Sequence, residues 1–250
     1  MHGRLPVALG LVLALAACGK TEHRNPFDPP ASAAKPAPKL TAPPKLEGPP
    51  PIRVEETGPK IGWDTVLIEK KDGMERLAKA VAGVKKDYEG KPVQVVADRK
   101  AKSVWVTAVI NELAKIDAGT ITVITETTRP GFPGKFEFTP QARAGHVPPC
   151  TLVMMIIENN TPAIWSIAGG KASGAGRGLA GPDLARAADI IERRARKCSE
   201  TSTYFVSAAE NVQWGLTYDL AVNATKVEDV KLNRAVILQE IPTAGRPVDL

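Results

Sequence analysis

The sequence has little of what most enzymes and metal centres are built from. Its 250 residues include 3 histidines and 3 cysteines, and aromatic residues make up 5% of the chain. Only His146 lies in the part expected to fold, and two widely spaced cysteines cannot complete a structural zinc site with it. No nucleophile, base and orienting residue stand in a recognisable spacing. We therefore expect no metal, no cofactor and no catalytic residues, which predicts a protein that is not an enzyme.

The sequence also lacks an apolar run long enough to cross a bilayer as a helix, which takes about 20 residues. The run Leu5–Ala17 follows a basic start and leads into Cys18 and Gly19. The stretch LAACG resembles the lipobox of bacterial lipoprotein signal peptides. This resemblance implies that residues 1–17 are a cleaved signal peptide and that Cys18 is acylated, palmitate being a typical chain. The alternative is an ordinary signal peptide that ends near a cysteine.

A lipid anchor at Cys18 would place the protein in the bacterial cell envelope, facing the periplasm. Two or more acyl chains give stable membrane binding, because each buried methylene contributes about 0.8 kcal/mol. By analogy with enterobacterial sorting, Gly19 rather than aspartate after the cysteine favours the outer membrane.

Residues 18–50 contain few large apolar side chains and are rich in proline, alanine and lysine. Such a segment cannot bury enough apolar surface to offset the entropy lost on ordering, so we predict a disordered tether. At about 3.1 Å per residue in polyproline II, the tether would reach on the order of 100 Å from the membrane. A docking segment is the alternative, although no PxxP repeat stands out.

The clearest structural signal lies within residues 91–127. Val93–Ala97 and Thr120–Thr125 are short runs rich in valine and isoleucine, which favours buried strands. Between them, Ser103–Ile116 has apolar residues at helical spacing, and Gly119 follows its end. This pattern predicts a βαβ unit with two parallel strands.

The residues before this unit complete a first copy, 51–148. They predict a hairpin with Trp63 in its return strand, followed by a helix over Met74–Tyr88. The strand Val93–Ala97 and the helix that contains Trp105 come next.

A second copy follows over residues 149–250. A hairpin with Trp165 in its return strand precedes a helix over Asp183–Lys197, a strand over Tyr204–Ala208, a helix starting near Trp214 and a strand over Arg234–Gln239. We therefore predict an α+β fold of two tandem small domains, each a mixed sheet in the order ββαβαβ covered by two helices.

Three stretches, two in the first copy and one in the second, suggest a family. Val93–Asp98 (VQVVAD) with Ala118–Val123 (AGTITV), and again Phe205–Gly215 (FVSAAENVQWG), resemble the periplasmic domain of the ExbD/TolR biopolymer-transport family. Members of that family have an N-terminal membrane-spanning helix with an aspartate that couples proton flow to work. Leu5–Ala17 contains no acidic residue, so energy transduction by this chain alone is not expected.

The resemblance implies a soluble domain that dimerises and contacts peptidoglycan or a protein of an envelope motor. It further implies that two copies in one chain can pair with each other. The formal net charge of +6 suits anionic headgroups or the carboxylates of peptidoglycan stems, and a periplasmic location argues against nucleic acid.

Cys150 and Cys198 remain after Cys18 is assigned to lipid. In an oxidising compartment a disulfide between them is the default. A simple ββαβ layout, however, puts Cys150 and Cys198 at opposite ends of the second copy, so the glycine-rich segment Gly169–Gly181 would have to reroute the helix. The alternative is that both are buried apolar residues.

The segment Gly169–Gly181 links a strand to a helix but lacks the spacing of a phosphate-binding loop. Lys171 and Arg177 form a candidate anion-binding loop there, and a flexible insertion is the simpler interpretation. The sequence predicts a non-enzymatic envelope lipoprotein that acts as a binding or scaffold module, with a Tol/Ton-type complex or peptidoglycan as partner. The alternative is a small-ligand-binding or hydrolytic enzyme with a site under Gly169–Gly181.

Overall fold

A computed structural model of the protein describes residues 49–178 and 181–250. The signal peptide, Cys18 and most of the tether lie outside the described residues. The described residues belong to one compact unit. Within the two described ranges, no helix is both long enough and apolar enough to span a membrane.

The described chain forms one eleven-stranded mixed sheet and a separate two-stranded ribbon. The sheet order is β3-β2-β1-β4-β5-β6-β13-β12-β7-β8-β9, and β10 pairs with β11. The strands are β1 Ile52–Glu55, β2 Gly58–Ile61, β3 Asp64–Thr65, β4 Val93–Ala97, β5 Ile121–Ile124, β6 Lys135–Pro140, β7 Leu152–Ile156, β8 Pro162–Ser166, β9 Ser173–Gly174, β10 Arg177–Gly178, β11 Gly181–Pro182, β12 Thr203–Ala208 and β13 Arg234–Ile237.

Five α-helices lie in the described ranges, and a 3-10 turn at Gln141–Arg143 follows β6. Apolar side chains of the longer helices pack into the same core as the sheet. The helices are α1 Gly73–Gly83, α2 Lys85–Tyr88, α3 Ser103–Lys115, α4 Leu184–Ala195 and α5 Trp214–Thr225.

The strand order is symmetric about β6. In the first half β1 is antiparallel to β2 and parallel to β4, which is parallel to β5. In the second half β7 is antiparallel to β8 and parallel to β12, which is parallel to β13. Because β6 is antiparallel to β5 and parallel to β13, the two halves run in opposite directions. An approximate twofold axis therefore passes through the sheet near β6.

The α+β class is confirmed. The separation into two tandem domains is not confirmed, because both halves contribute strands to one sheet and the described residues belong to one compact unit. The boundary between residues 148 and 149 stays a prediction; it falls in the connection between the 3-10 turn and β7.

The first hairpin differs from its prediction. Its return strand stops at Ile61, and Trp63 lies in the turn between β2 and β3, where the side chain is fully exposed. Trp165, by contrast, is in β8 and completely buried. The predicted helix Met74–Tyr88 is also broken at Val84, whose N–H donates to the carbonyl oxygen of Val81 in a tighter turn.

The second half contains the one disulfide of the described residues, with the Cα atoms of Cys150 and Cys198 5.5 Å apart. Cys150 precedes β7, and Cys198 lies between α4 and β12, which is parallel to β7. Both cysteines therefore lie at the end of the sheet where β7 and β12 begin. The described part of the glycine-rich segment makes this possible, because β9 pairs antiparallel with β8 and returns the chain to the opposite end before α4 starts.

Candidate functional site

The N-terminal ends of α3 and α5 contact each other across the approximate twofold axis. The N–H of Ser103, the first residue of α3, donates to the carbonyl oxygen of Val212 at 2.8 Å. The N–H of Trp214, the first residue of α5, donates to the carbonyl oxygen of Ala101 at 2.7 Å. The residues preceding the helices, Lys102 and Gln213, form an antiparallel bridge. These reciprocal contacts define which positions of the two halves are equivalent.

Three pairs of equivalent positions matter for the site. Arg99 and Glu210 each stand two residues beyond a parallel strand, β4 and β12 respectively. Val104 and Gly215 are the second residues of α3 and α5. Ala108 and Asp219 are the sixth residues of the same helices.

On one side of the axis these positions form a closed ionic cluster, which we call the Arg99 cluster: Arg99, Asp219 and Arg129. The two terminal nitrogens of Arg99 donate to the two carboxylate oxygens of Asp219 at 3.1 and 2.8 Å. Arg129 Nε donates to Asp219 Oδ2 at 3.3 Å. The side chain of Asp219 is only 4% exposed and that of Arg99 18% exposed, so this pair is largely removed from water.

The Arg99 cluster depends on a missing side chain. A Cβ atom at Gly215 would lie 2.9 Å from Cζ and Nε of Arg99, which is closer than van der Waals contact allows. Arg99 also donates to the carbonyl oxygens of Glu126 at 3.0 Å and Gly215 at 3.3 Å. The guanidinium group therefore crosses the start of α5 in direct contact with its backbone.

An aromatic cluster packs behind this closed side. Phe138, Trp214 and Tyr218 make edge-to-face or tilted contacts, with ring centroids 5.3 to 6.4 Å apart. Tyr218 donates its hydroxyl to the carbonyl oxygen of Pro133 at 2.6 Å. Burial, reinforced by the negative charge of Asp219 and opposed by Arg99, raises the pKa of Tyr218 to about 12.

On the other side of the axis the equivalent space is open. We call this cavity of about 290 Å³ the α3 pocket. Its walls are α3, the end of β12 with Glu210, and the segment Leu238–Ile241 that follows β13. Val104 and Ala108 of α3 line it where Gly215 and Asp219 stand on the closed side.

Carboxylates surround the α3 pocket. Glu112, Glu210 and Glu240 line it, and no lysine or arginine is among the described residues of its wall. Glu112 forms an ion pair with Lys115 of the same helix at 2.6 Å. In the described part of the chain, neither Glu210 nor Glu240 belongs to an ion pair. The pocket therefore has a negative rim in a protein whose formal net charge is +6.

Two buried polar side chains also line the α3 pocket. Ser207 is 5% exposed, and no hydrogen bond among the residues of 49–178 and 181–250 uses its hydroxyl group. Asn111 is 4% exposed; its amide nitrogen donates to the carbonyl oxygen of Thr107 at 3.0 Å, which leaves its amide oxygen available to a donor. A hydrogen-bond donor that entered the pocket would find acceptors at its wall as well as at its rim.

The described wall of the α3 pocket offers hydrogen-bond acceptors, carboxylates and apolar side chains, which suits it to binding. In the described ranges no three histidine, cysteine, aspartate or glutamate residues stand close enough to hold a metal ion. His146, the one histidine of the folded part, is exposed in a loop. Among the described residues that line the pocket with Ser207, the titratable groups are carboxylates, and none is a histidine.

The structure places the residues singled out from sequence in different parts of the molecule. Cys18 is outside the described residues, and Cys150 and Cys198 are in the disulfide. Lys171 precedes β9, whereas Arg177 begins β10; both are exposed. Neither of them lines the α3 pocket, so the candidate anion-binding loop and this pocket are separate features.

The residues of the Arg99 cluster and of the α3 pocket were not among the candidate site residues chosen from sequence. The two family-like stretches place Asp98 and Glu210 after the strands of their copies, but the helix starts match Arg99 with Glu210. Asp98 instead accepts a hydrogen bond from the N–H of Lys100 at 2.8 Å, which is a local turn contact. Aligning the two copies on their helix starts would have shown arginine opposite glutamate and aspartate opposite alanine.

The sequence matches no protein-family model, and neither the curated proteins nor the solved structures include one that is significantly similar to it. The functional conclusion therefore depends on the geometry of the site and on the sequence patterns.

Proposed function

We propose that this protein is a non-enzymatic binding module of the bacterial cell envelope, anchored through Cys18, and that the α3 pocket is its binding site. The observation that carries the proposal is the pocket itself. The same framework that is filled by the Arg99 cluster on one side of the twofold axis is open on the other, with buried polar groups and unpaired carboxylates facing the space.

The lipobox-like stretch before Cys18 and the tether over residues 18–50 support the envelope location. The disulfide between Cys150 and Cys198 is consistent with an oxidising compartment. The proposed partner is peptidoglycan or a protein of a Tol/Ton-type motor, as the resemblance to the ExbD/TolR family implies. The two halves already contact each other across α3 and α5, which supports internal pairing of the copies.

The alternative, an enzyme with a site under Gly169–Gly181, has less support. A cavity of about 500 Å³ lies beside that segment and is lined by Ser166, Ser173 and basic residues of α4. Ser166 donates its hydroxyl to the carbonyl oxygen of Gly169 at 2.7 Å, and the hydroxyl of Ser173 accepts from Arg194 at 2.9 Å. Among the described residues that line this cavity, none is a histidine, aspartate or glutamate that could act as a general base on either hydroxyl.

The experiment that tests the proposal is site-specific photocrosslinking in cells. The full chain would carry a photoreactive residue at Gln239, which is exposed at the wall of the α3 pocket, or at Glu158, an exposed residue of the β7–β8 turn that serves as matched control. We expect light-dependent adducts at Gln239 and none at Glu158, and mass spectrometry would identify peptide or muropeptide partners. Absence of adducts at Gln239, or equal adducts at both positions, would overturn the α3 pocket as binding site.

The lipid anchor has its own test. Cells that express the full chain would be labelled with a palmitate analogue, and we expect the label to disappear in Cys18→Ser while Cys150→Ser keeps it. Label retained in Cys18→Ser would contradict the anchor.

A further inference from the structure

We infer that the α3 pocket accepts one lysine or arginine side chain of a partner polypeptide. This inference rests on the proposed function and adds the chemistry of the ligand. It follows from four features of the pocket: its equivalence to a site that holds an arginine, its charge, its buried polar groups and its size.

The equivalence provides a template within the same chain. On the closed side, the Arg99 side chain passes over the start of α5 and reaches Asp219, with backbone carbonyl oxygens of Gly215 and Glu126 as further acceptors. On the open side, Glu210 replaces the arginine itself, and Val104 and Ala108 replace Gly215 and Asp219. The arrangement of helix and strand ends is the same on both sides, but the open side has a glutamate where the closed side has an arginine.

The charges of the α3 pocket suit an external cation. Glu210 stands at the position from which Arg99 extends on the closed side, so the charge at that position is reversed. Glu112 lies one helical turn beyond Ala108 on the same helix, and Glu240 lies on the segment after β13. Three carboxylates therefore line the space from three different elements, and within the described ranges the one ion pair that they form is that of Glu112 with Lys115.

The buried polar groups give the cation a place to bind inside the pocket. Ser207 and Asn111 are both more than nine-tenths buried, and the Ser207 hydroxyl has no partner in the described part of the protein. Charged nitrogen donors form stronger hydrogen bonds than neutral ones, and lysine and arginine supply only donors. A basic side chain would thus satisfy the hydroxyl oxygen and the amide oxygen that face the space.

The size and the apolar walls fit a side chain better than a larger ligand or a metal ion. A volume of about 290 Å³ falls at the lower end of small-molecule pockets, which span about 300–1,000 Å³. Val104, Ala108 and Leu238 provide an apolar surface for the methylene stem, and Glu112, Glu210 and Glu240 line the same cavity as acceptors for the charged head. A bare metal ion would gain nothing from these apolar contacts.

The test uses the full-length lipidated chain in detergent and calorimetric titration with four ligands. They are the acetylated, amidated tetrapeptide Ala-Ala-Arg-Ala, its lysine version, its citrulline version, and free L-arginine. Citrulline keeps the length and shape of arginine without the charge. We expect the arginine and lysine peptides to bind at least tenfold more tightly than the citrulline peptide, and binding to weaken as salt is raised.

Two variants locate the interaction. Glu210→Gln should weaken binding of the arginine peptide about tenfold, while Glu158→Gln in the β7–β8 turn should leave it unchanged. Ala108→Asp introduces the carboxylate that Asp219 supplies on the closed side, and should tighten binding of the arginine peptide several-fold without improving the citrulline peptide. This gain keeps the test decisive even where a loss variant folds poorly.

The outcomes separate this inference from the proposed function. Equal binding of arginine and citrulline peptides, or no binding of either basic peptide, would overturn the inference while pocket-specific crosslinking still supports the proposed function. Free L-arginine that binds as tightly as the peptide would overturn the assignment to a polypeptide. Loss of crosslinking at Gln239 together with specific peptide binding would overturn the proposed role in cells and leave the pocket chemistry in place.

Discussion

The two sides of the approximate twofold axis share one arrangement of helix and strand ends, but one side is filled and the other is open. On the closed side, Arg99 and Asp219 form a bidentate pair that fills the space between α5 and the ends of β4 and β5. On the open side, Glu210 and Ala108 occupy the equivalent positions, and about 290 Å³ between α3 and the ends of β12 and β13 remains a cavity. Three substitutions between equivalent positions thus convert a structural element into a candidate binding site.

The difference shows what each side contributes. A buried, bidentate ion pair holds the two halves together, because breaking it leaves an uncompensated charge away from water. The open side gives up that stabilisation and leaves polar groups unpaired, which is typical of sites that bind ligands. We therefore expect substitutions on the closed side to alter folding and those on the open side to alter binding.

The largest expected difference in stability concerns the contact that joins the start of the first strand to the end of the helical region in each half. In the second half, the disulfide joins Cys150, two residues before β7, to Cys198, three residues after the end of α4. In the first half, Tyr88 at the end of α2 donates its hydroxyl to the carbonyl oxygen of Pro50, just before β1, at 2.8 Å. A disulfide in the second half and a hydrogen bond in the first half therefore make the corresponding connection.

Replacing both Cys150 and Cys198 by serine should lower the free energy of unfolding by about 4 kcal/mol, given the sequence separation of 48 residues. Tyr88→Phe should lower it by about 1 kcal/mol, because only one hydrogen bond is lost. Urea unfolding followed by circular dichroism measures both. A disulfide effect no larger than that of Tyr88→Phe would contradict the assigned difference between the two connections.

The next effect compares the two sides of the axis directly. Asp219→Ala leaves Arg99 and Arg129 without their buried carboxylate and should lower the free energy of unfolding by about 3 kcal/mol. Glu210→Ala, its matched control on the open side, should change it by no more than about 0.5 kcal/mol, because Glu210 is exposed and outside the ion pairs of the described chain. Similar losses in both variants would mean that the two sides do not differ as described.

Local elements were largely predictable from sequence, since their signals lie in short windows. The strand Val93–Ala97 has the predicted bounds, and the helix predicted over Ser103–Ile116 ends one residue earlier. The buried valines of β4 and the apolar stripe of α3 are local patterns that no distant contact overrides. The strand predicted over Arg234–Gln239 is shorter, because pairing with β12 ends at Ile237.

The arrangement of the halves was not predictable in the same way. Strand β6 was not predicted, and it is the element that joins β5 to β13 in one sheet. Its sequence alternates Lys135 and Glu137 with aromatic residues, so one face is exposed and the apolar signal is weak. The candidate site depends on α3 and α5 meeting across this strand, and such distant contacts leave no pattern within a short window of sequence.

The third prediction tests whether Arg99 can fill the closed side only because residue 215 is a glycine. Gly215→Val, which installs the residue found at the equivalent position in α3, would push a Cβ to 2.9 Å from the Arg99 guanidinium. Overpacking of this kind should lower the free energy of unfolding by about 2 kcal/mol. The converse change, Val104→Gly, should cost about 1.5 kcal/mol, through helix propensity and through the lost contacts of a side chain that is half-buried against the core.

A double variant decides the mechanism of that loss. If the clash with Arg99 is the cause, Gly215→Val should add little to the effect of Arg99→Ala, so the two changes would not be additive. Additive losses would instead assign the effect to the backbone of α5.

The smallest expected effect is a pH dependence that belongs to the closed side. Tyr218 stands there beside Asp219, and Thr107, which does not titrate, is at the equivalent position beside the α3 pocket. Because the pKa of Tyr218 is raised to about 12 from an ordinary value near 10, its contribution to stability is intact below pH 10 and is lost as the pH rises toward 12. At pH 10.5 the free energy of unfolding should fall by about 0.8 kcal/mol relative to pH 8 through this residue.

Burial also raises the pKa of Tyr88 and Tyr204, so the whole protein should lose more stability than this at pH 10.5. Tyr218→Phe should remove only the share that belongs to Tyr218. Urea unfolding at both pH values measures that share, and an unchanged pH dependence in Tyr218→Phe would place the alkaline sensitivity away from the closed side.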